Sequence, residues 1–264
     1  MTKLSSEHKN RSPRFAVLMY QLSIGSGMLI SWEMLTNVGL LDPFFFSYPS
    51  AIASRVANWL STGMIWPHLV VTLQETFLAL IIGAAAGVSV GFLLAQFPLL
   101  GEIFSPYLRV LNALPRVVLA PIFMLWFGLG IWSKVALGIT LVFFVVFYNT
   151  YQGIRDVNIV ILNNARLLGA SQRQLIRHVL LPSALSWIFS SLHVSIGFAL
   201  IGAVVGEYLG SSRGIGYIIS QAEGVFDTTG VFAGMTILSA IVLCLAYGIE
   251  KLERWLLRWK TVST

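Results

Sequence analysis

The stretch VALGITLVFFVVFYNTYQGI, residues 135–154, carries no charged side chain and is long enough to cross the ~30 Å hydrocarbon core of a bilayer as one helix. The rest of the chain fits the same solvent. Of its 264 residues 56% are hydrophobic and 11% are charged, whereas soluble domains carry roughly 25% charged residues. That supply of polar residues is too small to cover a globular surface of this size, so a single membrane domain is expected.

Further apolar runs of about 17 to 25 residues lie at 15–32, 76–95, 117–133, 183–206 and 231–249. Six spans are therefore expected, the third of them interrupted by Pro115 and Pro121. The first follows Lys3, Lys9, Arg11 and Arg14 in the manner of a signal peptide. Trp32-Glu33-Met34 offers no small-residue cleavage site, so this run reads as a retained anchor.

With the N-terminus inside, every one of the 17 Lys and Arg residues except Arg55, Lys134 and Arg213 falls in the cytoplasm or at its interface. The positive-inside rule then puts both termini in the cytoplasm. The net charge of +6 does not point to nucleic acid, because the basic residues sit between apolar segments and form no soluble basic face. The single cysteine, Cys244, excludes an intrachain disulfide and a cysteine-based metal cluster.

Within the second span Ala79, Gly83, Gly87, Gly91 and Ala95 recur every four residues, which lines one helix face with small side chains and lets another backbone approach. Tyr48-Pro49-Ser50, followed by Ile52, Val56, Trp59 and Leu60, suggests a short amphipathic helix capped by Ser50. The apolar piece at 215–219 is too short to span and reads as re-entrant or surface-packed.

Residues 155–181 are too structured to be a plain connector. A first helix over about 158–168 ends at Gly169, a residue type suited to the left-handed conformation that closes a helix. Ser171 and Gln174 form a capping box for a second helix, whose apolar face is Leu175, Ile176, Val179 and Leu180. Arg173 and Arg177 share the opposite face, and Pro182 is expected to stop or kink the helix before span five.

Asn163-Asn164-Ala165-Arg166-Leu167-Leu168-Gly169-Ala170-Ser171, continuing to Val179-Leu180-Leu181-Pro182, resembles the EAA loop of ATP-driven importer permeases. Asn163 and Asn164 stand where that signature has glutamate and its first alanine; the glycine and the Leu-Pro keep their spacing. The resemblance extends over roughly residues 45–258 to the nitrate, sulfonate and taurine group of permeases. Its other landmarks are Tyr48-Pro49-Ser50, Leu114-Pro115 with Pro121, Leu125-Trp126-Phe127-Gly128, Asn149-Thr150-Tyr151-Gln152-Gly153 and Gly206-Glu207-Tyr208-Leu209-Gly210.

The resemblance implies an all-α integral membrane protein with six transmembrane helices in the MetI-like fold of type I ABC importers. It would be organised as a cytoplasmic tail (1–14), a first membrane helix (15–36), an outer loop (37–67), a permease core (68–250) containing the coupling loop (155–181), and a cytoplasmic tail (251–264). It further implies a cell (inner) membrane location and a permease homodimer embedded in lipid. Two copies of a separate ATPase would dock on the paired loops, and a periplasmic or extracellular solute-binding protein would deliver cargo. In the coupling loop the matching residues are Asn163, Asn164, Ala165, Arg166, Gly169, Ala170, Ser171, Arg173 and Pro182.

No cofactor is expected on this chain. It lacks a Gly-x-x-x-x-Gly-Lys-Ser/Thr phosphate loop, so ATP and Mg belong to the partner ATPase. An intramembrane enzyme would show a Gly-x-Ser-x-Gly elbow or a His-Glu-x-x-His zinc motif, and neither occurs. A secondary carrier or channel not driven by ATP would need its own charged relay or broken helices, and spans two and four as drawn hold no charge; Glu75 and His68 flank span two without an evident partner set.

Three residues are candidates for the solute path, each with a second reading. His193, in a span also holding Ser186, Ser190, Ser191 and Ser195, lines the path or bonds to a neighbouring helix. Glu207 shapes an outer gate or is an ordinary interfacial carboxylate. Arg116, at the inner interface, contacts an anionic solute or serves as an orientation signal. The resemblance suggests a sulfonate, taurine, nitrate or related organic anion, with aromatic carboxylates and pyrimidine precursors also open.

Overall fold

The computed structural model describes residues 12–256, so most of the expected tails at 1–14 and 251–264 lies outside the described residues. All regular structure among those residues is helical. Helix α1 (Ser12–Asn37) is followed by the short α2 (Pro43–Phe46) and by α3 (Pro49–Ser61). Next come α4 (Trp66–Gln96), α5 (Pro98–Ala113), a 3₁₀ turn (Arg116–Leu119), α6 (Ala120–Phe127) and α7 (Ile131–Arg155). The chain continues through α8 (Ile159–Leu167), α9 (Gln172–Leu175), a π turn (Ile176–Leu180), α10 (Leu181–Leu209), α11 (Ile215–Gly224) and α12 (Thr228–Leu256).

The centre of the molecule is the trio α4, α7 and α10, and glycine explains how closely they pack. A Cβ added at Gly83 would lie 2.8 Å from Val142 Cβ, one at Gly87 2.8 Å from Phe143 O, and one at Gly91 2.8 Å from Phe147 O. The small-residue face of α4 is thus seated on the backbone of α7. At Gly138 of α7 all three helices meet: a Cβ there would press on Ala79 of α4, and Gly202 lets α10 approach the Gly138 backbone equally closely. Without a hydrophobic drive between helices in lipid, this close contact is what holds such a trio together.

Around that core, α11 and α12 pack with α3 in a cluster that includes Ile52, Trp59, Ile215, Ile218, Ala233 and Ile237. The apolar piece at 215–219 is therefore part of a short packed helix. Helix α1 buries none of its apolar window, as suits a helix facing lipid, and joins the rest of the molecule near its C-terminal end, where Trp32 packs against Phe232 of α12.

Three expectations need correction. The third span is not a helix over 117–133. It is a broken one, α5 followed by the 3₁₀ turn and α6, bent by 85°. Gly101 at its start lies beside Tyr151 at one end of α7, while Met124 near its finish touches Gly210 and approaches Leu129 at the other end. The bent pair therefore traverses the bundle and makes the sixth crossing beside five continuous ones. The break falls at Leu114-Pro115, where proline disfavours helical backbone in the residue before it.

Of the two outcomes expected at Pro182, a stop or a kink, the stop does not occur. Residues 172–209 form one run, and the π turn just before the proline absorbs the missing donor. Finally, Ser50 does not cap α3 with its own hydroxyl, since the N-cap is Tyr48. The cap is supplied in trans by Glu33 of α1, which accepts from Ser50 N (3.0 Å) and Ser50 Oγ (2.7 Å).

Candidate functional site

Two regions bear on function, and they sit at opposite ends of the bundle. At one end α8 and α9 project as the loop after α7. Asn158 caps α8 by accepting from Val160 N at 2.8 Å. At its other end Gly169 takes φ +80°, while Gly169 N donates to Arg166 O (2.9 Å) and Ala170 N to Ala165 O (3.0 Å). This pairing is the Schellman closure that satisfies the last carbonyls of a helix. The capping box then starts α9: Ser171 N donates to Gln174 Oε1 (2.8 Å) and Gln174 N to Ser171 Oγ (3.3 Å).

The loop is thus internally rigid, but it buries little. α8 contributes no buried residue; Leu167 and Leu168 are 85% and 89% exposed, and Asn163, Asn164, Arg166, Arg173 and Arg177 all face outward. Leu175 and Leu180 of the second arm are buried, and Leu180 joins Ile154, Ala184 and Ile188, with Leu162 and Ile176 packed against them half-buried.

At the opposite end a buried polar network joins four helices. Glu207 of α10 is 1% exposed and accepts from Thr72 Oγ1 of α4 (2.6 Å) and from Gly216 N of α11 (2.7 Å). Thr72 Oγ1 in turn accepts from Ile215 N (2.9 Å), and His68 Nδ1 accepts from Gly214 N (3.2 Å). The start of α11, whose first amides have no helical partners of their own, is therefore held by α4 and α10 side chains. Glu75 lies against Glu207, and Lys134 of α7 donates to the carbonyls of Leu129 (2.6 Å) and Gly210 (2.8 Å).

This network corrects the sequence reading at two points. Glu75 and His68 do have partners, and α4 and α7 are not free of charge once their true ends are included. Glu75 and Lys134 each lie one residue outside the spans expected at 76–95 and 135–154, because a run defined by its lack of charge ends where the first charge appears.

The three path candidates do not converge. Glu207 faces the junction of α4 and α11. His193 lies on α10 with Nδ1 3.3 Å from Glu253 Oε2 of α12 and 3.3 Å from Phe189 O. Arg116 stands not at an end of the bundle but beside the middle of α7, its guanidinium 5.1 Å from the centre of the Phe144 ring. The reason is the broken span: α5 begins at Pro98, so Arg116 is carried most of a half-span inward before the chain turns. Among the described residues no cluster of His, Cys, Asp and Glu suits a metal ion.

Comparison with known proteins agrees with this geometry. Residues 83–258 match the family described as binding-protein-dependent transport system inner membrane component. A probable ABC transporter permease protein of Haemophilus influenzae is 32% identical over 91% of this chain and 96% of its own length. A formylaminopyrimidine transport permease of Halalkalibacterium halodurans is 34% identical over 88% of this chain and 92% of its own. A putative aliphatic sulfonates transport permease of Bacillus subtilis is 32% identical over 92% and 88%. Among solved structures, an inward-facing conformation of the MetNI methionine ABC transporter covers 74% of this chain and 95% of that chain with a TM-score of 0.63; at 19% identity it speaks to fold alone. The chain therefore belongs to the binding-protein-dependent transport system inner membrane components and is a translocating permease subunit of an ABC importer.

Proposed function

We propose that two copies of this chain form the solute path of an importer in the cell (inner) membrane. Two copies of a separate ATPase, carrying ATP and Mg, would drive it, and an outer solute-binding protein would supply it. The observation that carries this reading is the α8–α9 loop. Its backbone is closed at both turns, yet it presents exposed leucines and arginines that the chain itself does not cover. An apolar patch on a rigid projection calls for a partner, and the arginines around it favour an acidic docking cleft.

The loop end is the cytoplasmic end in this reading. Even with Arg116 set aside, the basic residues other than Arg55, Lys134 and Arg213 collect there or on the termini. The solute is a sulfonate, taurine, nitrate or a related organic anion. The relatives' own names range from sulfonates to formylaminopyrimidine, so likeness alone leaves this choice to the chemistry of the path. Glu207 acts at the outer gate by anchoring α11, His193 ties α10 to α12, and Arg116 faces the solute.

The test is reconstitution. The homogeneous chain is expected to hydrolyse no ATP, and the ATPase co-expressed with it is expected to co-purify and to energise uptake. Uptake that persists with a hydrolysis-dead ATPase would overturn the reading in favour of a carrier.

A further inference from the structure

Residues 101–119 run antiparallel to α7 and enclose a groove with it. Gly101 lies beside Tyr151, Leu108 shares a cleft with Phe147 and Tyr148, Arg116 covers Phe144, and Leu119 shares a cleft with Ile139 and Thr140. Along the first wall Arg109 and Asn112 stand three residues apart on α5, and Arg116 follows beyond the break at Leu114-Pro115; along α7 Phe144, Tyr148, Tyr151 and Arg155 follow at i, i+4, i+7 and i+11 and mark one helical face.

The groove holds two cavities. The one at the loop end measures about 610 Å³ and has Arg109 and Arg155 in its lining, with Tyr148, Gln152 and Trp187. Its single acid is Glu102. The second, about 310 Å³, lies at mid-depth, where Arg116 meets the apolar side chains of Leu114, Leu119 and Phe143. Across both the formal charge is three arginines less one glutamate, or +2.

Arg116 is not satisfied by the chain. Its Nη2 donates to Asn112 O (3.0 Å) and to the Asn112 side-chain oxygen, while Nε is sealed from solvent without a partner. A guanidinium held against an aromatic face and lining a cavity, with Nη donors to spare, is suited to an anionic group. Arg155, by contrast, is tethered to Tyr151 Oη at 2.7 Å, and Arg109 has no partner among the described residues.

We propose that this groove is an anion-conducting limb of the solute path, with Arg116 as a mid-depth station and Arg109 with Arg155 as a second station at the loop end. Its cargo is a small organic anion, a sulfonate or carboxylate on an apolar or aromatic body. Two stations of like charge let an anion be attracted inward and still leave, as conduction through any selective path requires. The proposal rests on the permease reading but is tested without it.

The test uses Ser105, which lines both the large cavity and the cleft beside it. In a Cys244→Ser background, Ser105→Cys is labelled in neutral detergent with two methanethiosulfonates of similar size, one bearing a sulfonate and one a trimethylammonium group. Relative to a free thiol in solution, the sulfonate reagent is expected to react about tenfold faster than its cationic counterpart. Arg116→Gln and Arg109→Gln should each remove most of that preference, and Arg116→Lys, which keeps the charge, should retain it. Ethanesulfonate should protect the cysteine. Equal rates for the two reagents, a preference unchanged in Arg116→Gln, or protection by phosphatidylglycerol but not by ethanesulfonate would each overturn the proposal. Labelling needs neither ATP nor ATPase, so loss of coupled uptake with the preference intact would count against the permease reading and not against the groove.

Discussion

Gly87 and Gly169 lie on the two sides of α7 in the sequence, and the molecule uses them for opposite properties of the same residue. At Gly87 the backbone is ordinary helix, and the absence of a side chain is what counts, because a Cβ would press on Phe143 O and Val146. At Gly169 nothing lies within 4 Å, and φ of +80° is what counts. The first glycine lets two membrane helices meet; the second aims a surface loop. Damage at the seam should therefore appear in the amount of folded protein, and damage at the loop only in what the folded protein does.

The largest effect is expected at the seam. Gly87→Val forces α4 and α7 apart against backbone atoms, which should cost about 3 kcal/mol or more. The variant should lose most of its monodisperse peak in detergent size-exclusion chromatography. A normal peak would mean that the glycine face is incidental packing.

Next comes the polar network. Glu207→Ala leaves Thr72 Oγ1 and Gly216 N without their acceptor in a dry interior, a loss of about 2–4 kcal/mol. A lower melting temperature and faster proteolysis between α10 and α11 are the expected signs. Unchanged thermal unfolding would show that Glu207 does not anchor α11.

The smallest effect belongs to the loop cap. Ser171→Ala removes one side of the capping box at a cost of about 1 kcal/mol, so membrane yield should be unchanged and uptake only partly reduced. A fall in yield as large as that of Gly87→Val would erase the contrast between the two regions.

What can be read from the sequence divides along the same line. The uncharged span at 135–154, the small-residue face of α4 and the turn chemistry at Gly169 and Ser171 are local patterns, and each appears in the structure where the residues suggest it. The polar network is hidden because its members come from different helices and because a hydropathy scan ends a span at any charge. Such a scan stops just short of Glu75 and Lys134 and so cuts away the residues that meet across α4, α7 and α10. The broken third span is hidden for a related reason: Pro115 divides it into two helices, and the more amphipathic first half, α5, does not score as membrane on its own. A span started after Pro115 puts Arg116 at an interface, whereas it stands beside Phe144 at mid-depth.

The direct test of the loop as coupling element is solute uptake by Gly169→Val and Gly169→Asn at matched membrane levels, with co-purification of the ATPase measured in the same membranes. Valine resists the left-handed conformation while asparagine tolerates it. The expected result is normal insertion of both, loss of ATPase binding and uptake for valine, and substantial retention of both for asparagine. Normal uptake by Gly169→Val would contradict the assignment of this loop as the link between ATP hydrolysis and transport.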